Sequence, residues 1–232
     1  MKILILLGAW ASVPSWISTF RWKTAWNFNI DYFNINYIKK QNKKNKKELQ
    51  KIIDYYKNIR KDFSNKKQNY YHDYIKKLQF QEDVFILSQN IDNLDYNIVN
   101  KENLIKLHWD LFKNRCLNNR KHNIWKNNDI WDKCQKCNSL IIPDILYYEE
   151  TYPKEIVIKL NKLLKKEYDV FLLIWSSLEI WFINQIIGKI KAQFKININP
   201  ELNLREFWFL QYSNFNDFIK KIWKTLITND FE

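Results

Sequence analysis

Glycine occurs only twice in these 232 residues, while tryptophan occurs eleven times. At ordinary usage a chain of this length would carry roughly sixteen glycines. The shortage constrains the fold because glycine is the residue that takes positive φ without steric cost. Either the fold avoids left-handed turns, or other residues stand where such turns need glycine. The stretch LLGAWASVPSWISTFRW at 6–22 sharpens the choice. It opens on Gly-Ala with Ser and Pro at turn-like spacing. It then places Trp10, Trp16 and Trp22 where the backbone should bend.

Short apolar runs recur as KILILL at 2–7, VFILSQN at 84–90, LIKLHW at 104–109, DVFLLIW at 169–175 and FKININ at 194–199. Several are continuous, as strands buried on both faces of a parallel sheet read. Helical spacing fills the intervals at 155–168 and 178–192, and a closing amphipathic helix is expected over 214–227. This alternation predicts an α/β fold, a doubly wound parallel sheet. Residues 31–83 and 113–139 break the pattern. The first is polar, aromatic and Lys-rich, with the low-complexity KKQNKKNKK at 39–47; the second holds all three cysteines. Together they read as a smaller helical and metal-binding module beside a Rossmann-like domain of 1–30, 84–112 and 140–232.

The formal charge of +13 invites a nucleic-acid partner. The excess is Lys scattered among Asn and Ile, which composition drift alone produces, so a nucleic-acid role is not expected. The opening MKILILLGAWA has an apolar run too short for a comfortable leader peptide and reads as a buried first strand. No run approaches the ~20 apolar residues of a membrane span. An odd cysteine count, two of them in a C-x-x-C, argues against a disulfide framework. A cytoplasmic monomer is the expectation.

A first strand, a glycine-containing turn and then a helix form the phosphate site of dinucleotide-binding folds. Gly8-Ala9-Trp10-Ala11-Ser12 occupies that place. Other stretches accompany it in order: Asn69-Tyr70-Tyr71-His72, Ser88-Gln89-Asn90-Ile91-Asp92-Asn93-Leu94, His108-Trp109-Asp110-Leu111-Phe112-Lys113-Asn114-Arg115-Cys116, Cys134 to Cys137, Ile142-Pro143-Asp144-Ile145-Leu146-Tyr147-Tyr148-Glu149-Glu150, Trp175-Ser176-Ser177-Leu178 and Ile198-Asn199-Pro200-Glu201. In this series the chain resembles the sirtuins, NAD-dependent protein-lysine deacylases. Their motifs read G-A-G-x-S-x-x-S-G-I-P-x-F-R-G, P-N-x-x-H, T-Q-N-I-D-x-L, H-G-x-L-F-x-x-R-C, C-x-x-C, R-P-D-I-V-W-F-G-E, G-T-S-L and I-N-P-E. The matches cover nearly the whole chain.

At five positions where the sirtuin motifs carry Gly, this chain has Trp: 10, 16, 22, 109 and 175. Trp26, by contrast, matches a family Trp. Drift would scatter different residues over five glycine positions, so one residue at all five needs a common cause. Some bacterial lineages read UGA as glycine, and translating such a gene with UGA as tryptophan gives this pattern. Trp125, Trp131, Trp181, Trp208 and Trp223 are further candidates. The rival is a degenerate, non-catalytic binding protein whose loop is plugged by real indoles.

The resemblance implies roles. His108 would be the general base. Gly8, Ala9, Trp10, Ser12, Ile17, Phe20, Arg21, Gln89, Asn90, Asp92, Trp175, Ser176, Ser177 and Asn199 would line the NAD site, with Asn90 and Asp92 at the nicotinamide end. Leu146, Tyr147 and Tyr148 would receive an acyl-lysine protein or peptide as an added strand, and Tyr56 would face the acyl group. Cys116, Cys134 and Cys137 match three of four structural zinc thiolates; either His122 completes the set or the site is lost. Asp95 stands where many sirtuins have His. The Tyr-x-x-Arg pair of members that remove acidic acyl groups is displaced, with Ile59 at the expected Arg and Arg60 one residue on. ADP-ribosyl transfer from the same cofactor is the alternative chemistry.

Overall fold

The structure, a computed structural model, describes residues 1–17, 29–122, 124, 129–176, 178, 181–199, 204, 209–213 and 215–218. Within these, eight strands are described: β1 (Lys2–Leu7), β2 (Asp83–Ser88), β3 (Leu104–Lys106), β4 (Trp109–Cys116), β5 (Ile141–Ile145), β6 (Glu167–Ile174), β7 (Lys191–Ile198) and β8 (Leu210–Tyr212). Six form one sheet in the order β3-β2-β1-β6-β7-β8, every pair parallel. β4 and β5 pair antiparallel apart from it.

β1 shows why its apolar run is continuous. Ile3 to Leu7 are all 0% exposed. Ile3, Ile5 and Leu7 enter one cluster with Ile86, Leu172 and Ile196. Leu4 and Leu6 enter another with Leu87, Phe171 and Leu173, because successive strand side chains point to opposite faces. Burying each such side chain contributes roughly 1.5–3 kcal/mol. A polar residue in this run would break one layer or the other.

Helices cover both faces. α3 (Tyr70–Leu78) and α6 (Phe215–Phe218) place Tyr71, Ile75, Leu78 and Phe218 in the first layer. α4 (Lys154–Leu164) and α5 (Trp181–Lys189) place Leu160, Leu163, Ile183 and Ile186 in the second. The sheet is therefore doubly wound, as the alternation predicts. Among the described residues, no helix is long and apolar enough to cross a membrane.

A second core lies beneath α1 (Ile35–Lys44) and α2 (Lys46–Ser64). The low-complexity Lys/Asn run builds the corner between them. Asn45 leaves the helical region at φ −140°, and its side chain accepts from Glu48 N–H to start α2. Asn34 caps α1 in the same way through Asn36 and Tyr37. Both use the short acceptor that a helix N-terminus needs. Arg60 of α2 donates to the carbonyls of Leu111 (2.8 Å) and Lys113 (3.0 Å), locking the helix pair to β4.

Two differences from the sequence reading have plain causes. The run LIKLHW does not continue as one strand. β3 ends at Lys106, Leu107 N–H still bonds Ser88 O at 2.7 Å, and the chain turns at Trp109, φ 60°, into β4. β8 is a three-residue edge strand, too short to show a period. Of the helix expected over 214–227, Phe215–Phe218 falls in α6 and the remainder lies outside the described residues.

Candidate active site at the carboxyl edge of the sheet

β1 is flanked by β2 on one side and β6 on the other, so the chain leaves the sheet centre in opposite directions at this point. Doubly wound sheets bind ligands in the crevice that such a reversal opens. Gly8 sits there at the end of β1, donating to Ile174 O at 2.9 Å. A Cβ on Gly8 would lie 2.2 Å from Trp175 O and 2.7 Å from Ser176 Cα. Only hydrogen fits between these two strand ends.

A 3-10 turn, Ala9–Ser15, follows and buries Ala11, Ser12 and Ser15. It is fixed from α3. Asn69 caps that helix, and its Nδ2 donates to Ala11 O (2.9 Å) and Ser15 Oγ (2.8 Å). His72 completes the capping box, its Nδ1 accepting from Asn69 N–H at 3.2 Å. The Asn-x-x-His spacing thus ties a helix start to the turn that follows β1.

His108 follows β3. Its Nδ1 lies 2.8 Å from Gln89 O, which fixes the proton on Nδ1 and leaves Nε2 as a base. Burial lowers its pKa to about 4, against an opposing pull from the Gln89 carbonyl. The imidazole is therefore neutral near pH 7, as proton abstraction requires. Beside it, Ser12 Oγ donates to Asp92 Oδ2 at 2.9 Å and Asn90 Nδ2 donates to Ser12 Oγ at 3.2 Å. Asn90 Oδ1 is buried without a partner. Burial, and then the charge of Asp95, raise the Asp92 carboxyl, while Lys106 opposes them. On the β6 side Ser176 and Asn199 are buried, joined by Asn199 Nδ2 donating to Ser176 O at 2.9 Å. Gly8, Ala9, Trp10, Ser12, Gln89, Asn90, Asp92, His108, Trp175, Ser176 and Asn199 thus gather along one edge. Ile17 packs in the second core. Phe20, Arg21 and Ser177 lie outside the described residues.

Of the six described tryptophans, four have left-handed backbone: Trp16 (φ 60°), Trp109 (60°), Trp131 (77°) and Trp175 (54°). Bulky residues are genuine outliers there. Trp10 has no positive φ, but its ring stacks on Trp175 with centroids 5.8 Å apart, and Trp175 Nε1 donates to Tyr71 OH at 2.6 Å. Two indoles thus stand at the mouth of the crevice that Gly8 opens. Trp22 lies outside the described residues.

Of the residues expected to meet a substrate, Leu146 is half-buried and Tyr148 exposed, whereas Tyr147 and Tyr56 are enclosed in the second core. The Tyr56 hydroxyl donates to Tyr32 O at 2.9 Å and that of Tyr147 to Pro143 O at 3.2 Å. The N–H groups of Leu146, Tyr147 and Tyr148 already bond His108 O, Glu150 Oε2 and Phe33 O. Arg60 is engaged with β4, through Leu111 O, Lys113 O and Asn114 Oδ1.

Cys116, His122, Cys134 and Cys137 present one ligand atom each, all within 4.8 Å of one another. Cys116 Sγ and Cys137 Sγ are 3.4 Å apart, and Cys134 Sγ is 3.5 Å from His122 Nδ1. Tetrahedral arms of about 2.3 Å give edges near ~3.8 Å. The donor set fits zinc, with His122 in the place left by the missing fourth cysteine. Burial raises the Cys134 thiol, but the Lys136 N–H and His122 outweigh it and bring its pKa down to about 6.

Sheet order, switch point and glycine approach together define an α/β protein of the dinucleotide-binding class. The model described as the Sir2 family matches residues 8–181, and the chain belongs to that family. An NAD-dependent protein deacylase of Aquifex aeolicus (strain VF5) is 25% identical over 209 residues, covering 87% of this chain and 84% of that protein. An NAD-dependent protein deacetylase of Bacillus thuringiensis subsp. konkukian (strain 97-27) is 27% identical over 220 residues, covering 90% and 85%. A solved Sir2 homologue in complex with NAD has the same fold, with TM-score 0.75 at 20% identity over 98% of this chain and 90% of that one.

Sequence reasoning missed Lys106, which organises the loop carrying Asn90 and Asp92. Its signal was a charged residue inside an otherwise apolar strand, two positions before His108.

Proposed function

We propose that this chain is an NAD-dependent protein-lysine deacylase, releasing nicotinamide, free lysine and 2′-O-acyl-ADP-ribose. The observation that supports it most is the neutral His108, held by Gln89 O beside the Asn90–Asp92–Ser12 cluster at the switch point. The backbone at Gly8 and Ala9, with Ser12, Ser176 and Asn199, would hold NAD, which brings a ribose carbon already activated toward nicotinamide loss. Asn90 and Asp92 would orient the carboxamide end. His108 Nε2 would take the proton of a ribose hydroxyl as that oxygen closes on the acyl carbon. Family membership and the named relatives support the same reading.

The reading carries a condition. A pyrophosphate cannot lie against main chain that two stacked indoles cover, since each such ring occupies 150–250 Å² of surface. We therefore assign glycine to positions 10, 16, 22, 109 and 175 in the functional protein, through UGA decoding. Reading the gene tests this directly, because TGG at those codons would end it. Isothermal titration with NAD tests the enzyme. The glycine-bearing protein should bind and deacylate an acetyl-lysine peptide, and His108→Ala should abolish turnover while keeping NAD affinity. Absence of NAD binding would remove both deacylation and ADP-ribosyl transfer, and product mass spectrometry separates those two. The Trp10–Trp175 stack favours one other reading for a chain with tryptophan there, a non-catalytic binding protein.

A further inference from the structure

The turn from Asn90 to Asp95 carries the side chains assigned to the nicotinamide end, and a single buried ammonium anchors it. Lys106 pairs with Ser88 in the β2–β3 register and is only 8% exposed. Its Nζ donates to Asp92 O at 2.7 Å and to Asp95 Oδ1 at 2.5 Å. Asp95 also accepts from Ser88 Oγ, and that oxygen accepts from Asn90 N–H at 3.1 Å. Asp92 Oδ1 accepts from Leu94 N–H at 3.0 Å, while its other oxygen takes Ser12 Oγ. The exit loop of β2, the cofactor turn and β3 are thereby drawn into one buried network. Within this network Asn90 Oδ1 is buried without a hydrogen-bond partner.

We propose that Lys106 and Asp95 are a positioning pair that sets the Asn90–Asp92 turn at the height the nicotinamide carboxamide requires; this rests on the NAD reading above. A buried ion pair is a weak source of stability, because desolvation offsets much of its attraction, and two apolar residues of similar volume often replace it without loss. What an apolar pair cannot reproduce is the directed bond to the Asp92 carbonyl. Holding the fold and holding the turn are therefore separable.

The test uses the glycine-bearing 232-residue chain and the double variant D95L/K106M, which removes both members of the ion pair together. Amide hydrogen exchange on the unliganded protein reads the turn itself. Losing charge-assisted bonds should speed exchange at Asn90 and Leu94 by about ten- to a hundredfold, with β1 and β6 amides unchanged. Calorimetry then compares NAD with ADP-ribose, which lacks the nicotinamide. The double variant should lose about tenfold or more in NAD affinity while binding ADP-ribose as the parent does. Unchanged exchange in a stable double variant, or equal weakening toward both ligands, would overturn the proposal. If the parent binds neither ligand, the NAD reading falls, and the exchange data still decide whether the pair holds the turn.

Discussion

Position 16 isolates the backbone argument, because Trp16 closes the 3-10 turn at φ 60° and ψ 29° while its side chain is 84% exposed. Its N–H bonds Val13 O at 2.8 Å, so the left-handed geometry is part of the turn and not an accident of the side chain. Trp16→Gly and Trp16→Ala both delete the indole; they differ only in whether a Cβ remains. The left-handed conformation costs an L-residue roughly 1–2 kcal/mol. Glycine's greater freedom in the unfolded chain returns about 0.4–1 kcal/mol of that. The Gly variant should therefore exceed the Ala variant by about 0.5–1 kcal/mol. For a chain of this size that is a melting difference of roughly 1–4 °C. Paired urea melts and calorimetric scans on the two variants measure it. An alanine variant as stable as the glycine one would refute the reasoning, since position 16 would then have no use for a missing Cβ.

Other expectations concern single groups. Protein purified without chelator should carry one zinc per chain, and His122→Ala should lose it to a competing chromophoric chelator far faster than the parent; full retention would remove His122 from the ligand set. His72 is 0% exposed and burial lowers its pKa to about 4 from an ordinary 6.5. Below 6.5 the unfolded chain binds a proton there that the folded chain refuses. Its contribution is thus complete above pH 6.5 and is lost as pH falls toward 4, a swing of about 3 kcal/mol. Urea midpoints at pH 7 and 4.5 should show it, and His72→Gln should flatten the slope. With Arg60 bound to the carbonyls of Leu111 and Lys113 and Tyr56 bound to Tyr32 O, neither member of that displaced pair is free to meet an acidic acyl chain. Acetyl-lysine peptide should exceed succinyl-lysine peptide by at least about tenfold in kcat/KM, and a reversed preference would show that Arg60 leaves β4.

The sheet centre could be read in the sequence because β1, β2 and β6 are buried on both faces, and burial on both faces leaves no room for polar residues. Elements with weaker demands left weaker marks. β8 is a three-residue edge, and β4, paired with β5 among the described residues, leaves Lys113 exposed and Asn114 half-buried, while its buried Asp110 is satisfied by Tyr96 OH and Phe112 N–H. His108, Asn90 and Asp92 were legible through flanking motifs, whereas Lys106 was not: its partners Asp92 and Asp95 lie fourteen and eleven residues back, across a turn whose closure no local pattern announces.

The tryptophans show most clearly how a motif and a geometry answer different questions. The motifs mark positions 10, 16, 109 and 175 alike as glycine sites, but the structure separates them by cause. At 16, 109 and 175 the demand is conformational, a left-handed φ that any Cβ strains. Trp131 shares it at φ 77° though no quoted glycine motif covers it, and its indole N–H is buried without a partner. At 10 the backbone is unstrained, and the demand is for room. The consequence is asymmetric. Glycine at 16 and 109 alone should relax the chain without admitting a dinucleotide. Glycine at 10 alone should remove one ring of the stack while the Trp175 indole stays hydrogen-bonded to Tyr71. Position 175 carries both demands at once, so it is the site where a single codon weighs on stability and on cofactor access together.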